Sequence, residues 1–273
     1  MRILHPTDFS ETAELARALA LDLSERLDAE LHLVHVLQHF EDHAGVPFVR
    51  AYLDSIDAVL KERLRSEQKA EEQRLRAKLR ELAGPRGTVE LVTGDPLREL
   101  LRLAPAHDLL VMGAHGRNPL DEVFLGGTAG RLVRRSSTPV LTARDTCSVT
   151  RVRRLLVASD FREASLVAWA FATELASRGG LKLVLAHVID AKTSDVSTAN
   201  AQLETLSAGR AERLAVRPGN PIEVLPSMAQ DVGADAIVVG LRRHGTVAGL
   251  VLGSRADALL RSSPVPILSV PTR

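Results

Sequence analysis

Along the first 144 residues, short dense apolar runs alternate with stretches whose apolar positions recur every three or four residues. Residues 3–5, 31–37, 89–93, 109–113 and 140–143 have the length and aliphatic character of strands. Between them, about 11–27, 49–82, 96–104 and about 127–135 carry helical stripes. Ser10 ahead of Thr12 and Ala13 suits a helix N-cap, and Pro96 suits a first turn, where its missing N–H is no loss. Short apolar strands alternating with amphipathic helices predict parallel pairing through right-handed crossovers. The expected fold is α/β and doubly wound, a five-stranded parallel sheet with helices on both faces, Rossmann-like in plan. Ligands in such sheets lie beyond the carboxyl ends of the strands at the switch in strand order. Asp8, Val36 and Gly113 all follow strand ends there.

The pattern then repeats. Arg2-Ile3-Leu4-His5-Pro6-Thr7-Asp8-Phe9-Ser10-Glu11 is answered by Arg154-Leu155-Leu156-Val157-Ala158-Ser159-Asp160-Phe161-Arg162-Glu163. Asp8 to His35 and Asp160 to His187 are both 27 residues, and Gly113 to Gly126 and Gly240 to Gly253 are both 13. Gly126 to Pro139 and Gly253 to Pro266 are again 13. Matched intervals between matched residue types identify two tandem units, 1–144 and 151–273. They differ in the middle: His35 to Gly94 spans 59 residues, His187 to Gly219 only 32. The surplus falls in the charged stretch 49–82, read as a lengthened surface helix closed by Gly84-Pro85.

Composition narrows the function. The 273 residues carry a net charge of +1 and only 3% aromatics. Split at residue 144, there are 20 basic against 22 acidic residues, then 15 against 12, so neither half has the basic excess that nucleic acid demands. No run approaches a membrane span, and a single cysteine, Cys147, excludes an intrachain disulfide. A cytoplasmic location is expected, with Cys147 a solvent-facing thiol in the linker 144–150.

The chemistry concentrates in Val111-Met112-Gly113-Ala114-His115-Gly116-Arg117 and Leu125-Gly126-Gly127-Thr128-Ala129. Gly113 and Gly116 bracket a turn after the fourth strand, where backbone N–H groups can approach an anion. A helix start at Gly126-Gly127-Thr128 adds unpaired donors and partial positive charge. Arg117 can neutralise an outer phosphate, and the Thr128 hydroxyl can donate to an oxygen. Alone, G-x-x-G is a weak signal; with the nine-residue spacing to Gly126 and the repeat, it is a strong one.

Pro6-Thr7-Asp8-Phe9-Ser10-Glu11 at a first strand, His35-Val36 at a second, and G-x-x-G-x9-G followed by Gly-Thr together resemble the universal stress protein family. The resemblance covers both halves outside the long helix. It implies an adenine-nucleotide binding regulatory protein of the stress response, with ATP, alone or with Mg, as cofactor. Carried across, the family's ATP-binding members nominate Pro6, Thr7, Asp8, Val36, Met112, Gly113, Gly116, Gly126, Gly127 and Thr128, with Arg117 beside the loop. Gly127 departs from the pattern, which has Ser or Thr there. The second half keeps Asp160, Val188, Gly240, Gly253 and Ser254 but has Arg243 in place of the second turn glycine, and a degenerate site is expected. The resemblance also implies an intrachain pseudo-dimer through the last strands, at Pro139-Val140-Leu141 and Pro266-Ile267-Leu268, and allows a homodimer of chains.

Other readings stay open beside this one. Asp8 and Asp160 can serve simply as turn caps. His32, His35, His39 and His43, with Glu41 and Asp42, invite a zinc site, but His32 and His35 must point to opposite faces of a strand, so no metal site is expected. No Ser-Gly-Gly-x-Asp turn, His-x-Gly-His or Gly-x-x-x-x-Gly-Lys loop is present, and no base, nucleophile or carboxylate cluster stands near the motif. Efficient catalysis is therefore not expected. The alternatives are a nucleotide-independent scaffold and a slow ATPase or autophosphorylating protein.

Overall fold

The computed structural model describes residues 1–38, 58–85, 87–115, 127–144, 146–189, 195–242 and 254–272. The first half runs β1 (Arg2–Pro6), α1 (Glu11–Arg26), β2 (Glu30–Leu37), α2 (Ala58–Ala83), β3 (Thr88–Thr93), α3 (Pro96–Leu103), β4 (Leu109–Gly113), α4 (Gly127–Arg135) and β5 (Val140–Ala143). The second runs β6 (Arg154–Ala158), α5 (Glu163–Gly179), β7 (Lys182–Ile189), α6 (Val196–Ser207), β8 (Arg213–Pro218), α7 (Pro221–Val232), β9 (Ala236–Leu241), α8 (Ser254–Ser262) and β10 (Ile267–Pro271). Local chemistry sets the boundaries. The Ser10 hydroxyl accepts from Ala13 N–H at the start of α1, and the Asp95 carboxylate accepts from Arg98 N–H with Pro96 in the first turn of α3. Gly84, at φ +69°, follows the last residue of α2.

All these strands belong to one ten-stranded sheet, ordered β3-β2-β1-β4-β5-β10-β9-β6-β7-β8. Each half is parallel throughout and repeats the order 3-2-1-4-5. The five-stranded sheets expected for the two halves are joined into one: β5 and β10 pair antiparallel, Ile267 opposite Thr142 and Leu268 opposite Leu141. The pairing uses up the edges that each last strand would otherwise expose. This is the pseudo-dimer expected from the matching Pro139 and Pro266 runs. Beside the join, Asp257 of α8 binds both Arg134 of α4 and Arg261 of its own helix.

Both apolar layers run across that join. One face packs Leu4, Leu110 and Val140 under Leu100 and Leu132, and continues into Leu156, Ile237 and Ile267 under Met228 and Leu260. The other joins Ile3, Val111 and Leu141 under Leu19 and Leu23 of α1 to Leu155, Val238 and Leu268 under Trp169 and Leu175 of α5. A fully buried leucine contributes about 1.5–3 kcal/mol. The linker takes part in this second layer. Val149 and Val152 pack into it, and Val152 N–H donates to Asp22 of α1. Cys147 is accordingly 5% exposed and not the solvent-facing thiol expected from its linker position. A connection laid against two packed halves is buried on one side whatever its composition.

The long charged helix is α2, and residues 49–57 of the stretch assigned to it lie outside the described residues. Leu79 and Ala83 are buried against Leu33, Val89 and Leu91, whereas Leu64 and Leu75 are half-buried and Leu60 is 39% exposed. The helix is a surface element anchored by its last two turns, as its many charges implied.

Candidate functional site

A cavity of about 210 Å³ opens at the carboxyl ends of β1 and β4. From β1 the chain crosses to β2 on one side and from β4 to β5 on the other, so this is the switch point of the first half. Pro6, Thr7 and Asp8 line it from the end of β1, Val36 from β2, Met112 and Gly113 from β4, and Gly127 and Thr128 from the start of α4. Eight of the eleven nominated residues of this half therefore meet in one place. Gly116, Arg117 and Gly126 lie outside the described residues.

The β1–α1 turn is built to hold its shape. The Asp8 carboxylate accepts from Ser10 N–H at 3.0 Å and from the Ser10 hydroxyl at 2.6 Å, and the Thr7 hydroxyl accepts from Phe9 N–H at 3.0 Å. Asp8 thus caps the turn and also lines the cavity. Phe9 sits in the left-handed region at φ +62°, which is unfavourable for a bulky residue. Its ring is held by His35, with centroids 4.7 Å apart, and by the Lys78 ammonium of α2, 4.1 Å from the ring centre. His35 Nδ1–H donates to the Thr7 carbonyl at 2.7 Å. The second half repeats the device: Phe161 lies at φ +59°, its ring 4.6 Å from His187, whose Nδ1–H donates to the Ser159 carbonyl at 2.7 Å. The paired Asp-Phe and His-Val signatures therefore position the turn. His35 lines the cavity too, beyond the residues nominated to hold the nucleotide.

Gly113 has a packing requirement beside the role its motif suggested. Its φ lies outside the left-handed region, and a Cβ there would stand 2.9 Å from the backbone carbon and hydroxyl of Thr12. It is glycine because the first turn of α1 crosses directly over the end of β4. Gly240 is tighter still, with a would-be Cβ 2.0 Å from the Ala164 carbonyl oxygen of α5. At Gly127, by contrast, a Cβ would meet just the Arg131 side chain at 3.5 Å.

Sequence reasoning also missed Ala13, Pro96, Leu100, Ala114, His115 and Ala129, which complete the described wall. The aliphatic members carry no chemical signature. His115 does: it is 7% exposed, and neither ring nitrogen has a hydrogen-bond partner. The Thr12 hydroxyl donates to its carbonyl at 2.6 Å, fixing the residue to α1.

The described second-half residues follow the plan of the first. The Asp160 carboxylate accepts from Arg162 N–H at 3.1 Å, Val188 packs on the sheet face, and Ser254 opens α8. Gly253 and Arg243 lie outside the described residues. The histidines expected on opposite strand faces are so placed. His32 Nδ1 meets His107 Nε2 at 3.0 Å and His32 Nε2 meets Glu90 at 3.2 Å, on opposite sides of one ring, while His35 serves the β1–α1 turn. Burial holds both His32 and His107 below the usual histidine range. His39, Glu41, Asp42 and His43 lie outside the described residues. No helix among the described residues is long and apolar enough to cross a membrane.

Comparison with known proteins returns one family. The model for the universal stress protein family matches residues 1–144 and again 151–271. A universal stress protein of Methanocaldococcus jannaschii is 29% identical over 153 residues, covering 52% of this chain and 94% of the relative. One from Mycobacterium bovis is 28% identical over 197 residues, covering 66% of this chain and 67% of its own. The crystal structure of a universal stress protein from Archaeoglobus fulgidus superimposes with a TM-score of 0.72 at 23% identity, over 99% of this chain and 98% of that one, and so shares the fold.

Proposed function

Since the chain belongs to the universal stress protein family, we propose that it is a cytoplasmic regulatory protein of the stress response whose first half binds one adenine nucleotide, ATP as reference ligand. The observation that carries this reading is the cavity at the β1–β4 switch point, where eight nominated residues converge. Its wall is largely aliphatic, from Val36, Leu100, Met112 and Ala129, with a few placed polar groups, the composition of a small-molecule site. The start of α4 at Gly127 and Thr128 places first-turn backbone N–H groups, of the kind that bind phosphate, at the cavity. Asp8 supplies a carboxylate to the described wall, but Ser10 already engages its Oδ1. Magnesium, where present, would arrive bound to the triphosphate rather than to a protein site of its own.

Binding rather than turnover is the proposed activity, because the described wall sets no general base beside a nucleophile. Slow hydrolysis or autophosphorylation is distinguished by a turnover measurement. A homodimer of chains needs a surface other than β5 and β10, since each already pairs with the other.

The second half is proposed as a degenerate site. Losing two charge-assisted hydrogen bonds through Arg243 weakens binding about a hundredfold or more. Mass analysis of small molecules released by denaturing the purified chain, followed by calorimetric titration with ATP, tests both points. One adenine nucleotide per chain is expected, with the isolated residues 151–273 at least about a hundredfold weaker than residues 1–144. Absence of nucleotide and of ATP heat would leave the scaffold reading. Equal affinity in the two halves would remove the asymmetry.

A further inference from the structure

The charges of α2 are not spread evenly around it. Arg65, Lys69, Arg76 and Arg80 follow one another at intervals of four, seven and four residues. At 3.6 residues per turn these positions lie within about 60° of one another, in a row about 22 Å long. All four are exposed. Among the described residues, none of their side chains enters an ion pair or a hydrogen bond, whereas Arg63 of the other flank is paired with Glu67 and Lys78 stands over the Phe9 ring. That flank balances Arg63, Arg74 and Lys78 against Glu67, Glu71 and Glu81.

The row works against its own helix. Arg65 and Lys69 are like charges four residues apart, and so are Arg76 and Arg80. Such pairs destabilise a helix, where a glutamate at the first of the two positions would stabilise it. Of the four, Arg80 sits in the last turn, where a cation meets the negative end of the helix. A solvated surface is served as well by mixed signs, which the other flank has. The second half has no counterpart: α6 carries a single charged residue, Glu204.

An acidic occupant relieves both repulsions at once. A second copy of the row would add to them. Nucleic acid and an anionic bilayer spread their charge widely, and away from the row they meet a half with 20 basic against 22 acidic residues. A helix bearing carboxylates at the same spacing touches the row and little else. Three of its four cations are arginines, whose paired N–H groups hold a carboxylate by two parallel hydrogen bonds. We propose that the Arg65–Lys69–Arg76–Arg80 row is the docking surface for an acidic helical segment of a partner protein. The proposal is independent of the nucleotide reading.

The probe is a capped alanine-based helical peptide with four glutamates at the spacing of the row, compared with an isomer whose four glutamates are scattered around the helix. Binding to the full chain is measured at low salt by fluorescence anisotropy. The row peptide is expected to bind about fivefold or more tighter than its isomer, and to weaken as salt is raised. Changing all four row residues to Gln weakens it about tenfold or more, while Arg74→Gln, on the other flank, leaves it as in wild type. The unfolding midpoint of the fourfold variant stays level or rises, since two like-charge pairs are gone. Equal binding of the two peptides, or unchanged binding by the fourfold variant, overturns the proposal. A midpoint that falls by several degrees shows the row to be structural and overturns it as well. Tighter, row-dependent binding of single-stranded DNA or phosphatidylserine vesicles than of the row peptide overturns the choice of an acidic protein segment.

Discussion

Gly240→Ala lowers stability by about 3 kcal/mol or more and the unfolding midpoint by roughly 10 °C, because the added methyl must displace backbone. The atoms it meets are the Ala164 carbonyl oxygen and carbon at 2.0 and 2.2 Å and the Ser165 nitrogen at 2.7 Å, all in the first turn of α5. None can rotate away, so the helix must lift from β9. Lifting it loosens the layer in which Ala168 and Trp169 pack against Val238. Gly113→Ala meets Thr12 and Ala13 at 2.9–3.1 Å, a conflict relieved by a shift of tenths of an ångström, and is expected to be milder. Gly127→Ala meets a flexible arginine at 3.5 Å and is expected to leave stability unchanged. Thermal unfolding of the three variants should rank Gly240 worst, Gly113 next and Gly127 last. Any other order refutes the close-approach account of these glycines.

Acidification from pH 7 to pH 4 should remove about 3 kcal/mol of stability through His5. The side chain is fully buried, and burial lowers its pKa to about 4, against the opposing effect of the Val111 carbonyl that accepts from Nδ1–H at 2.8 Å. The Arg17 charge adds to the depression, and Glu14 and Asp8 oppose it. The unfolded chain takes up this proton near pH 6.5 and the folded chain near 4, so stability is full above 6.5, falls through that window and has no more to lose below it. His32 and His107 are also depressed and act in the same direction, which makes the difference between wild type and a His5 variant the proper measure. His5→Val copies Val157, the matching residue of the second half, which packs in the apolar layer. Near pH 7 the variant should lie within about 1 kcal/mol of wild type, since it loses one hydrogen bond but also the unpaired Nε2. Denaturant melts at pH 7 and pH 4 should show the variant gaining on wild type as pH falls. Parallel decline of the two proteins would mean that His5 takes no part.

Strand and helix positions were legible because each element has its own period: the fourth and fifth strands and α4 fall on the expected residues, and α1 and α3 stop one residue short of their expected ends. The cavity-lining set was legible where chemistry is unusual, at Asp8, Gly113 and Thr128. Three things were not. The packing requirement at Gly113 was hidden, because close passage of a helix 100 residues earlier in the chain leaves no local mark. Cys147 looked exposed, because burial of a linker depends on how two halves dock. His115 was quoted within the motif without being weighed, since an unpaired ring nitrogen exists only once neighbours are in place. The Phe9 turn lay between these cases: its repeat in both halves was plain, but its left-handed backbone was not.

The antiparallel join makes every strand of the first half run opposite to every strand of the second. The carboxyl ends of the two halves therefore lie at opposite poles of the molecule, the cavity of the first half at one and the turn bearing Asp160 at the other. Ligands at the two poles cannot touch, and a partner protein that senses occupancy has a single pole to approach. Any signal between poles must travel along the seam, where Asp257 grips an arginine from each half. With a binding first half and a degenerate second half, as proposed, the tandem chain would have one reporting end and one silent end, an orientation that a symmetric pair of single units would lack.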